Sequence, residues 1–139
     1  MRSAEEVTMR LARIAVGWSG ALLVLFGALY VVAAERMLAL AELTSLSPTA
    51  LTDARVMYGA LEIAPGLIML ASLGRRDWLE PAVVLAMTVF AFVAGVRVFG
   101  VLREGAANQY HLTALCIEIP TSAFAWVAWR GLLRERPND

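Results

Sequence analysis

The chain has 139 residues, of which 60% are hydrophobic and 17% charged, and its formal net charge is zero. Soluble domains average roughly 45–50% apolar and about 25% charged residues, so this composition excludes a disordered chain and argues against an ordinary soluble enzyme. Without net charge there is no field to attract a polyanion, and we expect no nucleic-acid partner. The single cysteine, Cys116, excludes an intrachain disulfide and a Cys-x-x-Cys redox centre.

Four apolar segments, each about as long as a membrane-spanning helix, follow one another along the chain. A spanning helix needs about 20 predominantly apolar residues. The segments cover residues 14–34, 56–74, 81–102 and 110–129. Helices that are hydrophobic on all sides belong in lipid or in a large core, and this chain is too short for a large core. The sequence therefore predicts one integral membrane domain over residues 1–139, an all-α, four-helix transmembrane bundle.

The first segment has two features of a secretory signal peptide. Arginines precede it, and Val32-Ala33-Ala34 resembles a cleavage site. Its apolar run over residues 14–34 is longer than the usual signal-peptide core of about 7–15 residues. We therefore interpret it as a retained transmembrane helix.

The arginines are unevenly distributed between the two sides of the predicted bundle. Eight belong to the two tails and the loop after the second helix: Arg2, Arg10, Arg13, Arg75, Arg76, Arg130, Arg134 and Arg136. The other side has only Arg36, Arg103 and, at a helix end, Arg55. Because short cytoplasmic segments are enriched in arginine and lysine, this asymmetry predicts that both termini are cytoplasmic. The positions of the aromatic residues support the same orientation. The tryptophans lie near the cytoplasmic interface (Trp18, Trp78, Trp126 and Trp129), and the tyrosines lie near the outer one (Tyr30, Tyr58 and Tyr110).

The loop between the first two helices, residues 35–54, is longer than the other two. Ser47-Pro48 followed by Thr49 is typical of a turn that starts a short helix. Three arrangements are open for it: a helix lying on the outer membrane surface, a cap on the bundle, or a plain connector.

The second and fourth helices share a pattern. In each, a glutamate (Glu62 or Glu118) precedes a proline by two or three residues, and a basic residue (Arg55 or His111) lies seven positions before the glutamate. This pattern indicates a parallel internal repeat in which helices one and two match helices three and four. The first helix has no counterpart of Arg97.

Charged residues within three of the helices lie at similar depth. With a helical rise of ~1.5 Å per residue, Glu62 lies about 10 Å, Glu118 about 12 Å and Arg97 about 7 Å from the outer ends of their helices. A charge at mid-membrane costs about 3 kcal/mol on insertion scales, so these side chains should face one another rather than lipid. We therefore predict that the three converge, with Arg97 within hydrogen-bonding reach of at least one glutamate.

Three further residues are predicted to lie just above this trio, on the outer side. They are Arg55, Tyr58 and His111, and they complete a candidate ligand-binding or buried polar cluster. Two interpretations are open. The cluster is either purely structural, with an Arg–Glu pair that sets the register of the helices, or it is a ligand-binding or catalytic site. We expect no metal, because His111 and Glu118 are separated by about 10 Å along their helix. We expect no cofactor either, since a single histidine disfavours haem.

Several of these residues also carry a family resemblance. The features are the run from Arg55 to Glu62 (Arg-Val-Met-Tyr-Gly-Ala-Leu-Glu), then Arg97 with Gly100, the Arg103-Glu104-Gly105 turn, His111 and Glu118. Over residues 55–130 they resemble a bacterial membrane family known as domain of unknown function 4345, itself distantly similar to the DoxX-like group. The resemblance implies a four-helix protein of the bacterial inner membrane. It implies no activity, and Pro65 and Pro120 depart from the family pattern.

Function therefore stays open among three classes. The first is a binding site for a small lipophilic or lipid-like molecule, in which Arg55 and Arg97 attract an anionic or carbonyl-bearing head. The second is a membrane enzyme such as an isomerase, with Glu62 or Glu118 as base and His111 as acid. The third is an accessory structural subunit of a larger membrane complex. The expected partners are membrane lipid, a lipophilic small molecule, and a partner membrane protein or a second copy of the chain.

Overall fold

The computed structural model describes residues 2–135. Arg136 and the side chain of Arg2, both used above to predict orientation, lie outside what it describes. The elements are helix α1 (Arg2–Leu40), α2 (Pro48–Ala54), a π-helical segment (Arg55–Ala60), α3 (Leu61–Ser72), α4 (Arg76–Glu104) and α5 (Gln109–Arg134). No strand occurs within residues 2–135. The prediction of an all-α fold is confirmed.

Four stretches of helix are long and apolar enough to cross a membrane, as expected of a multi-pass membrane protein. They are Glu5–Leu40, Pro48–Ser72, Arg76–Glu104 and Gln109–Arg134. Each is longer than the apolar segment that predicted it, most of all the first, because helical structure continues beyond the apolar residues; the second extends only at its beginning and ends at Ser72, two residues before its apolar segment does. At the end opposite the termini, called the outer end below after its predicted orientation, α1 kinks at Ala33, where φ is −130° and ψ is 41°.

Both ends of the described chain lie at the same end of the bundle. Arg76, the first residue of α4, forms an ion pair with Glu5 near the start of α1. A side chain at Gly131 in α5 would meet Thr8 of α1 at 2.9 Å. The beginning of α1, the turn before α4 and the end of α5 therefore meet.

We expect this end to face the cytoplasm, because it carries most of the arginines. Fusing alkaline phosphatase after residue 139 should give an inactive reporter, and fusing it within residues 41–46 should give an active one. The reverse pattern of activities would contradict the predicted orientation.

Helices α1 and α3 pack at very short distance through two pairs of glycines. A Cβ at Gly27 would lie 2.6 Å from the Gly59 oxygen, and a Cβ at Gly20 would lie 2.9 Å from the Gly66 oxygen. Gly20 and Gly27 are seven residues apart, about two turns, so one face of α1 carries both contacts; of their partners, Gly66 belongs to α3 and Gly59 to the π-helical segment before it. Small residues allow this approach in membrane bundles, and they hold α3 close to α1 on both sides of Glu62.

The apolar core occupies the half of the bundle nearer the termini. It is built from small and medium side chains of all four spans, including Val16, Met69, Val83, Ala86 and Ala125. Among the polar residues of this region, Trp18 donates its indole N–H to the Thr121 hydroxyl at 3.1 Å. The other half has a smaller apolar cluster, and polar side chains occupy its centre.

The short helix predicted in the first loop is present and contacts the outer end of the bundle. It begins at Pro48, and the Ser47 hydroxyl accepts a hydrogen bond from the Ala50 N–H at 3.2 Å. Serine is a preferred residue at this capping position. Leu51 packs against a small buried cluster that includes Tyr30 and Leu38. The short helix continues without a break through residues 55–60 into α3, so it forms the first part of the second span, Pro48–Ser72, rather than a separate element.

Candidate functional site

The centre of the outer half holds an ion pair between α4 and α5. Arg97 Nε lies 3.0 Å from both carboxylate oxygens of Glu118, and Arg97 Nη2 donates to Oε1 at 2.7 Å. The two side chains retain 19% and 10% of their exposed area. Planar guanidinium and carboxylate groups match in this geometry, which makes the contact strong and directional. The prediction that Arg97 reaches at least one glutamate is confirmed by this buried salt bridge.

His111 extends the ion pair toward the outer end of the bundle. Its Nδ1 lies 3.2 Å from Arg97 Nη1. An arginine has only donors, so Nδ1 accepts this hydrogen bond and the ring proton lies on Nε2. The backbone N–H of His111 donates to Asn108 Oδ1 at 3.0 Å, which caps α5, and Asn108 Nδ2 donates to Glu42 in the first loop at 3.3 Å. The backbone of His111 is therefore fixed at the start of α5, and Arg97 positions its imidazole.

Glu62 lies near this pair but is not bridged by it. Its carboxylate is close enough to Glu118 and Arg97 for their charges to interact. One oxygen, Oε2, is buried and has no hydrogen-bond partner within residues 2–135. Since the charge of Arg97 is balanced by Glu118, the carboxylate of Glu62 is the unbalanced group of the cluster.

Arg55 does not supply the missing positive charge. Its Nε donates to the backbone oxygen of Val31 in α1 at 3.2 Å, just before the kink at Ala33. A side chain that bonds to a helix carbonyl is one recognised cause of such kinks. The structure thus separates Arg55 from the acidic residues, although the sequence places it seven positions before Glu62.

The π-helical segment explains this separation. Seven residues make almost two turns of an α-helix, and on that basis Arg55 and Glu62 would share a face. Residues 55–60 instead form a π-helix, in which each N–H bonds five residues back and each residue turns the chain less. Leu61 N–H accordingly donates to the oxygen of Val56. The wider turn directs Arg55 toward α1 and Glu62 toward α4 and α5.

Three tyrosines line the outer side of the cluster. The rings of Tyr30 and Tyr58 lie 5.2 Å apart, and the Tyr30 hydroxyl is 3.3 Å from that of Tyr110. Tyr110 in turn contacts His111 edge to face at 5.2 Å, and Arg97 lies 5.7 Å from the centre of its ring. Tyr30 is buried, whereas Tyr58 is 48% exposed. The aromatic side chains thus connect the ion pair to the surface of the bundle.

Sequence reasoning missed Tyr30, Tyr110 and Asn108 as members of this network. The tyrosines were identified only as interface residues, although their shared depth with the charged trio was a usable signal. Asn108 directly precedes a helix, a position where asparagine is a favoured cap. Its contact with Glu42 depends on the fold of the first loop and has no local sequence signal.

Two pockets are found on other parts of the surface. One, of about 360 Å³, lies between α1 and the start of α4 at the end that carries the termini. The other, of about 370 Å³, is an apolar groove on the outside of α4 around Gly95. Within residues 2–135 no three His, Cys, Asp or Glu side chains are grouped so that they could hold a metal ion.

Comparison with known proteins gives a family and no activity. No curated protein matches the chain, and no solved structure matches it. A family model described as a domain of unknown function, DUF4345, matches residues 11–129. The match extends the resemblance seen from Arg55 onward to include most of the first helix, and it covers Glu62, the ion pair, His111 and the tyrosines. The chain therefore belongs to the DUF4345 family.

Proposed function

We propose that the outer-half cluster binds a small lipophilic molecule that donates a hydrogen bond to Glu62. The observation that carries this proposal is the buried Glu62 oxygen without a donor. A buried acceptor left unsatisfied costs about 1–3 kcal/mol, and more when it is charged. A ligand that supplies the donor recovers this free energy on binding.

The charges of the cluster favour one class of head group over another. Arg97 is already neutralised by Glu118, and Arg55 bonds to a backbone carbonyl. With both arginines engaged, Glu62 is the acidic side chain of the cluster that has no ion-pair partner within residues 2–135. An alcohol, a phenol or a protonated amine fits such a site, whereas an anionic head would be repelled.

The surroundings fit a molecule that enters from the membrane. Ligand sites are lined mainly by apolar and aromatic side chains with a few well-placed polar groups. Tyr30 is close enough to Glu62 for the two side chains to interact, and its ring packs against Tyr58, which is partly exposed at the surface of the bundle. We infer that the ligand places its apolar body against these rings and its donor against the carboxylate.

Replacing Glu62 by glutamine tests the proposal. The amide keeps the shape of the side chain but loses the charge that strengthens the hydrogen bond. A hydrogen bond to a charged group contributes about 1.5–3 kcal/mol and one to a neutral group about 0.5–1.5 kcal/mol, so we expect the affinity for the ligand to fall roughly five- to tenfold. The measurement is native mass spectrometry of the gently solubilised protein, which reports bound molecules and partner chains together.

Glu35→Gln is the matched control, because Glu35 is exposed and lies outside the cluster. It should retain the bound molecule at the level of the unchanged protein. Equal occupancy in the Glu62 variant would contradict the proposal. Recovery of a stoichiometric partner chain and no small molecule would instead support an accessory subunit, and a bound molecule that is chemically converted during incubation would support an enzyme.

A further inference from the structure

A second cluster of charged side chains lies at the opposite end of the bundle from Glu62. A shallow pocket of about 360 Å³ is formed there by the first turns of α1 and the start of α4. Its lining residues are Glu5, Glu6, Met9, Arg10, Arg13 and Arg76. This pocket is separate from the proposed ligand site and independent of it.

Some charged side chains in this pocket have an ion-pair partner and others do not. Arg76 and Glu5 form an ion pair with each other. Arg10 and Arg13 are exposed and have no ion-pair or hydrogen-bond partner within the described part of the chain. They are three residues apart on a helix, so they are neighbours on its surface. Against the single remaining carboxylate of Glu6, the pocket has an excess of one positive charge.

The depth of the pocket corresponds to the lipid head groups. Arg13 directly precedes the apolar part of α1, and Tyr30 at the outer side is 17 residues away, or about 26 Å of helix. That distance approaches the ~30 Å thickness of the hydrocarbon core. Two half-exposed tryptophans at the same end contact arginines: Trp78 lies 4.8 Å from Arg75 and Trp126 lies 5.3 Å from Arg130. Tryptophan is enriched at this level of a membrane.

We propose that this pocket binds the head group of an anionic phospholipid from the adjacent leaflet. Arg10 and Arg13 donate to the phosphate, since a guanidinium presents paired N–H groups that match phosphate oxygens. The ion pair with Glu5 holds Arg76 against α1 and closes the side of the pocket. The acyl chains lie along the exposed side chains that follow on α1, Ile14 and Trp18. The arginines that set the orientation of the chain would thus also select its lipid.

The test is retention of lipid by the full-length protein. The protein is reconstituted into vesicles of one part phosphatidylglycerol to four parts phosphatidylcholine, gently solubilised, and examined by native mass spectrometry. We expect preferential retention of phosphatidylglycerol. In the double variant Arg10→Gln, Arg13→Gln this preference should fall roughly thirtyfold, because each arginine near an anionic surface contributes ~1 kcal/mol and 1.4 kcal/mol is a factor of ten.

Two further variants keep the test decisive. Arg36→Gln with Arg103→Gln removes two exposed arginines at the other end of the bundle and should leave the preference unchanged. Glu6→Gln removes the carboxylate that competes with the lipid phosphate for the arginines. It leaves both arginines in place and should increase retention of phosphatidylglycerol. If the double variant of Arg10 and Arg13 fails to fold, the Glu6 variant alone decides, and an unchanged preference there would overturn the proposal.

A third arm separates lipid from free phosphate. Inorganic phosphate added during solubilisation should not displace phosphatidylglycerol, because the lipid is also held by its acyl chains. Complete displacement by phosphate would show a site for a soluble anion and overturn the assignment to lipid. Equal retention of both lipids by the unchanged protein would overturn it as well.

Discussion

Replacing Arg97 by leucine should lower the free energy of unfolding by about 3–5 kcal/mol, the loss expected when one partner of a buried ion pair is removed. Glu118 would be left with 10% of its side chain exposed and none of the three hydrogen bonds that Arg97 makes to it. His111 Nδ1 would lose its donor at the same time. The measurement is thermal or denaturant unfolding of the purified protein in detergent.

The control is Arg103→Leu, which removes an arginine of the same helix that is 69% exposed, pairs with its neighbour Glu104 and lies 5.9 Å from the centre of the Phe99 ring. Little change is expected there, since exposed pairs contribute about 0–1 kcal/mol. Changing Arg97, Glu62 and Glu118 together to leucine should recover most of the lost stability. If this triple variant also retains the bound molecule, the cluster is a structural scaffold. A melting temperature of Arg97→Leu equal to that of the unchanged protein would contradict the role of the ion pair.

Glycine-to-alanine substitutions at two helix positions should change stability in opposite directions. At Gly27 the added Cβ would lie 2.6 Å from the Gly59 oxygen and 2.8 Å from Ile63 Cγ1. A backbone oxygen cannot rotate away, so α1 and α3 must separate, and overpacking of this kind costs about 1–3 kcal/mol. At Gly95 no atom lies within 4 Å of the added Cβ. Alanine there should stabilise the helix by about 0.5–1 kcal/mol.

Gly27→Ala should also weaken ligand binding, because Ile63 is adjacent to Glu62 and moves with α3. The two stabilities are compared by recording melting curves of the Gly27→Ala and Gly95→Ala variants in the same detergent. A Gly27→Ala variant that is as stable as the unchanged protein, or more stable, would show that this close contact does not exist in the folded protein.

The bundle itself could be predicted because apolar length is a local property of the sequence. The ion pair was also predictable, since depth along a helix follows from the position of a residue and the cost of burying a charge leaves few alternatives. Both arguments need only the number of residues along a helix and the free energy of placing a charge in the membrane. They predicted that Arg97 contacts at least one glutamate without any knowledge of helix packing, and the structure shows that this glutamate is Glu118.

The rest of the site depends on features with no clear signal in a single sequence. The π-helical turn changes the direction of Arg55 relative to Glu62, so Arg55 bonds to the backbone of α1 and forms no ion pair with Glu62. Tyr30 and Tyr110 meet through their hydroxyls only because α1 and α5 are neighbours in the bundle.

The predicted repeat also bears on the unbalanced carboxylate. Glu62 and Glu118 occupy matching positions in the two helix pairs, but only Glu118 has an arginine opposite it, because the first helix has no counterpart of Arg97. The two halves would then have diverged at this position, one toward an ion pair and one toward an open acceptor. The repeat itself remains a prediction from the sequence pattern.

An experimental structure of the full chain in a lipid environment tests the central claim most directly. The account predicts non-protein density beside Tyr30 and Tyr58, with a donor atom within hydrogen-bonding distance of a Glu62 oxygen and the Arg97–Glu118 pair intact. A structure in which Glu62 is satisfied by a protein donor, with no bound molecule next to it, would contradict the assignment of this cluster as a ligand-binding site.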